Sequence, residues 1–373
     1  MTFSGFDHAC MARALELAAK GLYSAHPNPR VGCVIARDDH VVATGWHAFA
    51  GSPHAETVAL QSAGAAARGA SAYVTLEPCS HHGNTPPCVD ALIAAGIKRV
   101  VIPLQDPNPR VDGAGRRRLE AAGVAVECGL MATAAEELNA GFLMRMRAGR
   151  PWVRVKVALS LDGRTALCNG DSQWISGAAS RADVQVWRAR SSAILTGIGT
   201  VLADDPALTA RVEEPPLRPL RVIVDTHWRT PPSSRILQHP SSALVAGGED
   251  TAVPPALLAT GVRCLPLPLL AGEVDLQALL RVLADLEMNE VQVEDGARLC
   301  GALLQAGLVD EVLLYQAPVL LGEGGPGPFA IGVLESMQER KQMEILHSCQ
   351  LGDDLRLRLR PCSKQAEPIK GKG

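Results

Sequence analysis

Pro78-Cys79-Ser80-His81-His82-Gly83-Asn84-Thr85-Pro86-Pro87-Cys88, set beside His54-Ala55-Glu56, decides how the first half of the chain reads. One imidazole and two thiolates form a zinc donor set that leaves the fourth tetrahedral position to water. Zinc lowers the pKa of such a water to about 7, which supplies hydroxide at neutral pH. Glu56 stands two residues after His54, outside the donor set, where it can carry the water proton to a departing group. Eight residues separate the two cysteines, and the loop they form carries competing readings. His81 or His82 as a fourth ligand would close the site and make the zinc structural, and a metal-free loop is a third possibility. The catalytic reading is preferred because a closed site has no use for Glu56. Cys79 follows a strand-like run and is expected to open a helix, whose N-terminus favours a thiolate. The other cysteines and histidines, such as Cys33 in its apolar strand, are expected to be core or surface residues.

Working outward, residues 7–20 carry apolar positions at helical spacing, and Pro27-Asn28-Pro29 then breaks the chain before a strand at Val31–Ile35. A second strand is expected at Ala72–Leu76, a helix at Val89–Ala95 stopped by Gly96, and a strand at Arg99–Pro103. Leu119–Ala122, Gly123 and Val124–Glu127 repeat that helix, glycine, strand order, and residues 134–148 read as one helix. Gly149-Arg150-Pro151 resets the pattern, so the expected domains are residues 1–149 and 150–362, with 363–373 a disordered polar tail. Helices at Ala178–Arg190, Leu276–Leu286 and Arg298–Gln305 alternate with strands at Trp152–Leu159, Ala193–Thr196, Leu220–Asp225, Ala243–Ala246, Glu290–Val293 and Glu311–Tyr315. Both halves are therefore α/β, with parallel or mixed sheets.

Composition narrows the function classes. The formal net charge is 36 − 39 = −3 over 373 residues, so no polyanion-binding surface and no nucleic-acid partner are expected. Aromatic residues at 3% provide few stacking platforms for single strands. No apolar run reaches the roughly 18 to 20 residues of a membrane span, because Pro318 divides the longest candidate, Val312–Gly322. His8, Arg13 and Glu16 interrupt the N-terminal apolar pattern, so no export signal is expected and the ten cysteines read as cytoplasmic thiols.

Chemistry is less visible in the second half. Gly113-x-Gly115 and Gly197-x-Gly199 do not extend to the dinucleotide fingerprint G-x-G-x-x-G. Glu294-Asp295-Gly296-Ala297 between a strand and a helix is either a pyrophosphate cradle or an ordinary turn. Arg116-Arg117-Arg118 reads as an exposed helix face rather than a phosphate site.

Pro27-Asn28-Pro29-Arg30-Val31-Gly32-Cys33-Val34, His54-Ala55-Glu56, Thr75-Leu76-Glu77-Pro78-Cys79-Ser80-His81 and Thr85-Pro86-Pro87-Cys88 closely resemble the bifunctional deaminase–reductase family of riboflavin biosynthesis. Asp106-Pro107-Asn108-Pro109 and Gly141-Phe142-Leu143 fit it too. So do Lys156–Arg164, Ser172-Gln173-Trp174-Ile175 and Leu202-Ala203-Asp204-Asp205-Pro206. The resemblance implies a cytidine-deaminase-like α/β/α domain followed by a dihydrofolate-reductase-like α/β domain. It implies one zinc held by His54, Cys79 and Cys88, with Glu56 as the proton shuttle, and NADPH in the second domain. The implied substrate is a phosphorylated pyrimidine, a diaminopyrimidinone ribosylamine 5′-phosphate, which is deaminated and then reduced from ribosyl to ribityl. A homo-oligomer, dimer or tetramer, is expected.

Carried over by position, the resemblance assigns cofactor contacts to Ala158, Trp174, Thr200, Asp204 and Thr226. It adds the run Gly296, Ala297, Arg298, Leu299, Cys300, Gly301 and Ala302. Substrate contacts fall on Asn28, Ser172, Arg188, Leu208, Arg211 and Glu294, where an arginine pair suits a phosphate. Lys156 and Glu294 are the candidates for proton traffic at the sugar. Plainer readings stand beside these: Asn28 as a turn former between prolines, Arg188 as a solvated helix residue, and Trp174 as core. Asn84 and Asp295 depart from the pattern, since a basic and a small residue are usual there. A carboxylate at 295 would weaken cofactor binding unless it points to solvent or caps the helix.

Overall fold

The computed structural model of the chain describes residues 3–81, 86–212, 218–239 and 242–362. His82, Asn84 and the tail 363–373 lie outside the described residues. The described residues form two compact units. One takes the chain up to Trp152 with Arg218 and Leu280–Glu290; the other takes Val153–Val212, Pro219–Leu279 and the chain from Val291 onward. No helix among the described residues is long and apolar enough to cross a membrane.

In the first unit the order is α1 (Gly5–Ala19), β1 (Gly32–Arg37), β2 (His40–Trp46), α2 (Ala55–Ala63), β3 (Ser71–Val74), α3 (Cys88–Ala94), β4 (Arg99–Ile102), α4 (Ala114–Ala121), β5 (Ala125–Cys128), α5 (Ala132–Leu138) and α6 (Ala140–Ala148). The strands form a mixed sheet in the order β2-β1-β3-β4-β5, antiparallel across β1 and parallel from β3 to β5. Alternation along the strands builds three layers. Cys33, Ile35, Ala72, Val74, Val100 and Ile102 face Ala55, Ala59, Val89, Leu92 and Leu119 of α2, α3 and α4. Val34, Ala36, Tyr73 and Val101 face Cys10, Met11, Ala14 and Leu17 of α1. Cys33 is a core residue, as expected. Gly45 brings α2 hard against the sheet, since a Cβ there would clash with Ala55 O and Ala59 N.

The expected single helix over 134–148 is two helices broken at Asn139. The Asn139 side chain is occupied elsewhere: its Oδ1 accepts from Arg30 N at 2.8 Å and its Nδ2 donates to Arg30 O at 2.9 Å. Sequence periodicity does not register such a side-chain clamp.

The second unit uses β6 (Trp152–Leu159), α7 (Ala178–Arg190), β7 (Ala193–Gly197), α8 (Ile198–Asp204), β8 (Leu220–Val224), β9 (Ala243–Gly248), α9 (Pro255–Leu258), β10 (Arg263–Leu267), β11 (Leu269–Leu270), β12 (Glu273–Val274), β13 (Glu290–Val293), α11 (Ala297–Gln305), β14 (Glu311–Gln316), β15 (Met343–Leu351) and β16 (Asp354–Pro361), while α10 (Leu276–Asp285), between β12 and β13, lies mostly in the first unit. Its nine-stranded sheet runs β10-β9-β8-β7-β13-β6-β14-β16-β15. Strands β10, β9, β8, β7 and β13 are parallel, so the carboxyl ends of β7, β8 and β13 open on the same edge. Ligands of open α/β sheets bind outside such ends. The antiparallel pair β15–β16 extends the sheet beyond β14.

Candidate active sites

His54 is the N-cap residue of α2, and Glu56 lies in the first turn behind it. Cys79 sits past the end of β3, and Cys88 is the first residue of α3. Their ligand atoms, one nitrogen and two sulfurs, lie within 4.8 Å of one another. His54 Nδ1 is 3.2 Å from Cys88 Sγ and 3.6 Å from Cys79 Sγ. The donor types and their convergence fit a tetrahedral zinc with one position left open.

Cys79 does not open a helix, contrary to expectation. Glu77 fixes the segment as extended chain: its carboxylate accepts from the backbone N–H groups of Asp106, Gly113 and Arg116 at 3.0, 3.1 and 2.9 Å. The helix starts instead after Pro87, and the new helix end reaches back. Cys88 N donates to Cys79 Sγ at 3.3 Å and Val89 N to Cys79 O at 3.2 Å.

The electrostatics of the cluster suit metal binding. The Cys88 thiol donates its proton toward Cys79 and, with His54, draws the Cys79 thiol down to about 4 against its burial. The same shared hydrogen bond and burial push Cys88 upward. A cation among the three donors deprotonates both sulfurs. Hydrogen bonding to Cys79 raises the His54 pKa against burial. Glu56 is 3% exposed, and burial beside Cys79 raises its carboxyl pKa, as suits a group that accepts and returns a proton. His81 is not among the clustered donors, so it does not close the site, and His82 falls outside the described residues.

In the second unit the candidates ring the carboxyl ends of the strands. Glu294 follows β13 and takes a two-pronged bond from Arg188 of α7, with Nε to Oε1 at 2.6 Å and Nη2 to Oε2 at 2.8 Å. Gln292 Nε2 adds a third donor at 2.8 Å. Burial alone would raise the Glu294 pKa, but Arg188, Lys156 and Gln292 hold it at about 2. Burial lowers the Lys156 pKa, opposed by Glu294 and assisted by Arg188. Thr200 lies in the first turn of α8, Thr226 just past β8, and Gly296 at the N-cap of α11.

Two family descriptions match the chain: the cytidine and deoxycytidylate deaminase zinc-binding region over residues 4–104, and the RibD C-terminal domain over residues 151–357. The chain is 49% identical to riboflavin biosynthesis protein RibD of Escherichia coli (strain K12), covering 95% of this chain and 99% of that one. The chain belongs to the RibD family. A solved structure of Acinetobacter baumannii RibD (form 1) superposes with a TM-score of 0.90 at 45% identity, covering 96% of this chain and 99% of the other. The Thermotoga maritima diaminohydroxyphosphoribosylaminopyrimidine deaminase/5-amino-6-(5-phosphoribosylamino)uracil reductase gives 0.85 at 34% identity, with the same coverage. The protein is thus a bifunctional deaminase and reductase of riboflavin biosynthesis, a cytidine-deaminase-like domain followed by a RibD reductase domain of dihydrofolate-reductase-like fold.

Within this member of the RibD family the candidate residues separate by environment. Trp174 is 71% exposed, with the Arg181 guanidinium 4.7 Å from its ring centroid, which overturns the core reading. Arg188 is no solvated helix residue, because its fork is spent on Glu294 and Nη1 donates to Thr209 O at 3.1 Å. The Leu208 side chain is packed in the core with Ile194, Val201 and Ile223, leaving its backbone as the part available to a ligand. Arg211 and Asp204 are exposed, while Ser172 and Ala158 are half-buried. The Thr226 hydroxyl donates to Glu273 Oε2 at 2.6 Å. Along α11, Leu299, Cys300 and Gly301 turn inward, and a Cβ on Gly301 would strike Ala330 O. Gly296, Arg298 and Ala302 are exposed and Ala297 half-buried, so the first turn is the part open to a ligand.

Two residues escaped the sequence reading. His47 is buried and stacks edge-on to His54 at 5.5 Å. Its Nε2 is 3.0 Å from Asn28 Nδ2 and its Nδ1 is 3.3 Å from Pro53 O, so Asn28 is more than a turn former: its amide is held by the layer around His54. Glu77 was visible only as part of a family motif, and its role as anchor of the 106–116 loop needs the fold. A histidine seven residues before His54 was the one available signal for His47.

Proposed function

We propose that the domain of residues 1–149 deaminates 2,5-diamino-6-ribosylamino-4(3H)-pyrimidinone 5′-phosphate and that the domain of residues 150–362 reduces the product with NADPH to 5-amino-6-ribitylaminouracil 5′-phosphate. The observation that carries the first half is the convergence of His54, Cys79 and Cys88 with buried Glu56 two residues from His54. These three residues would hold one zinc, which when bound supplies an activated water at neutral pH. Glu56 takes the proton of the attacking water and delivers it to the departing ammonia. Asn28, fixed through His47, meets the pyrimidine ring or the loop around it.

In the second domain NADPH supplies the hydride. The first turn of α11 from Gly296 to Leu299 holds pyrophosphate, and Thr200, Asp204, Thr226, Ala158 and exposed Trp174 line the rest of the cofactor. Arg211 meets the substrate phosphate, Ser172 and the Leu208 backbone position the sugar, and Arg188 orients Glu294. Lys156, driven toward its neutral form by burial, exchanges a proton with the opening sugar beside ionised Glu294.

We further place the enzyme in the cytoplasm as a dimer or tetramer. Ten free cysteines and the exposed apolar side chains of Leu320, Val333, Met337 and Ile345 support that reading, which sedimentation would check.

The decisive experiment supplies the diaminopyrimidinone ribotide without NADPH and then with it. Ammonia release before addition and NADPH oxidation after it are expected, and NADPH oxidation without prior ammonia release overturns the order of steps. Cys88→Ser should abolish stoichiometric zinc; full retention removes Cys88 from the donor set.

A further inference from the structure

Asp295 lies two residues past the end of β13, after Glu294, and faces the carboxyl end of β7. Its Oδ1 accepts from Gly197 N–H at 2.9 Å, from the Thr200 hydroxyl at 2.6 Å and from the Thr196 hydroxyl at 3.2 Å. Thr196 is fully buried, so its bond has no solvent substitute. The half-buried carboxylate therefore does not cap α11; its Oδ1 consumes the donors of the neighbouring turn. An ionised phosphate oxygen offers only lone pairs and needs donors to hold it. With its proton committed to Asp295, the Thr200 hydroxyl has only lone pairs to present. Open space lies beside the turn at Gly199 and beside the start of α11 at Gly296, where a Cβ would meet nothing within 4 Å.

We propose that Asp295 is a specificity-determining residue of the reductase domain: it makes the β7–α8 turn a subsite for hydrogen-bond donors, such as a ribose hydroxyl or a carboxamide, and confines phosphate to the first turn of α11. The inference rests on the reading that this domain binds a nicotinamide dinucleotide. It carries a compromise. The carboxylate stabilises the ligand-free cradle by satisfying three donors, and it weakens phosphate binding by occupying those donors and by like-charge repulsion.

The test titrates NADPH into wild type, Asp295→Ala and Asp295→Asn by tryptophan fluorescence and inorganic pyrophosphate by calorimetry, and records melting temperatures without ligand. Asp295→Ala should bind NADPH about tenfold more tightly, the scale of removing one charge a few ångströms away in a partly solvated site, with pyrophosphate following. Its ligand-free melting temperature should fall by a few degrees, since Thr196, Thr200 and Gly197 lose their acceptor. Asp295→Asn keeps an acceptor and loses the charge, so it should melt near wild type and still bind more tightly; it decides the matter if the alanine variant does not fold. A purely structural role would lower melting temperature and affinity together. Unchanged or weaker NADPH binding in both variants overturns the proposal while leaving the dinucleotide reading in place. A wild type that binds neither NADPH nor NADH overturns both.

Discussion

The two halves of the molecule build their sites from different materials. In the first, three side-chain donors are drawn within 4.8 Å by a helix cap, an extended segment and a helix start, with an acid two residues from one of them. In the second, a salt-bridged carboxylate and the starts of two helices are strung along the ends of parallel strands, with half-buried Lys156 on β6. A metal site needs chemically uncommon side chains, so its identity is carried by single residues. A dinucleotide cradle uses backbone N–H groups and open glycines, so its identity is carried by placement. The first should fail sharply when one residue changes, and the second should fail by degrees.

The largest expected effect is at Glu56. Glu56→Gln should keep zinc while ammonia release falls by roughly 10²- to 10⁴-fold, the range of a lost general acid–base group. NADPH oxidation with already deaminated substrate should be unchanged. Unaltered ammonia release would turn the metal centre into a structural one and erase the contrast between the halves.

How much could be read in advance follows the same division. His54, Glu56, Cys79 and Cys88 were legible because few other roles fit that combination of residues. His47 was not, because nothing in the sequence distinguishes one histidine among ten until Gly45 lets α2 pack close to β2. The helix start at Cys88 rather than Cys79 depended on Glu77 binding three backbone groups distant in sequence. In the second half β6, β7, β8, β9, β13 and β14 were found from their apolar runs, whereas β10, β15 and β16 were missed. Leu355–Arg360 alternates as a strand should, but its arginines are partners of acids on other elements: Arg356 with Asp183 and Arg358 with Glu311. Only the folded chain brings those acids near, and so the alternation did not announce a sheet.

Arg188→Ala tests whether the reductase candidates work as a linked set. It leaves Glu294 buried without its fork, a loss of about 3–5 kcal/mol for a broken buried pair, so kcat should fall as Lys156 and Glu294 shift their titration. KM for the phosphorylated substrate should rise far more than KM for NADPH. Equal changes in both KM values would contradict a substrate-side role. Arg188→Lys should rescue only in part, because an ammonium cannot reproduce the two-pronged bond.

A pH experiment probes the framework of the same unit. Burial would raise the Glu311 pKa, but Arg154 and Arg358 hold it at about 2, below the ordinary value of 4.5. A depressed folded pKa adds stability that is complete above the unfolded value and vanishes as pH falls through the folded one. The melting temperature of Glu311→Gln should therefore lie well below wild type at pH 7. The gap should close between about pH 4.5 and 2, and a gap constant with pH would show that the glutamate charge is not what holds Arg154 and Arg358.

The smallest effect is expected at Trp174, and it separates placement from packing most cleanly. The ring is 71% exposed, and it stacks with the Arg181 guanidinium, a contact worth roughly 0.5–1 kcal/mol at an exposed site. Trp174→Ala should shift the melting temperature by only a few degrees at most, on the usual conversion for a domain of this size. If the ring lies against the cofactor, NADPH affinity should drop severalfold in fluorescence or calorimetric titration, and Trp174→Phe should restore most of it. Ammonia release should stay at the wild-type rate in both variants. A residue that contributes almost nothing to the fold and measurably to the ligand is there for the ligand, while unchanged NADPH affinity would remove Trp174 from the cradle.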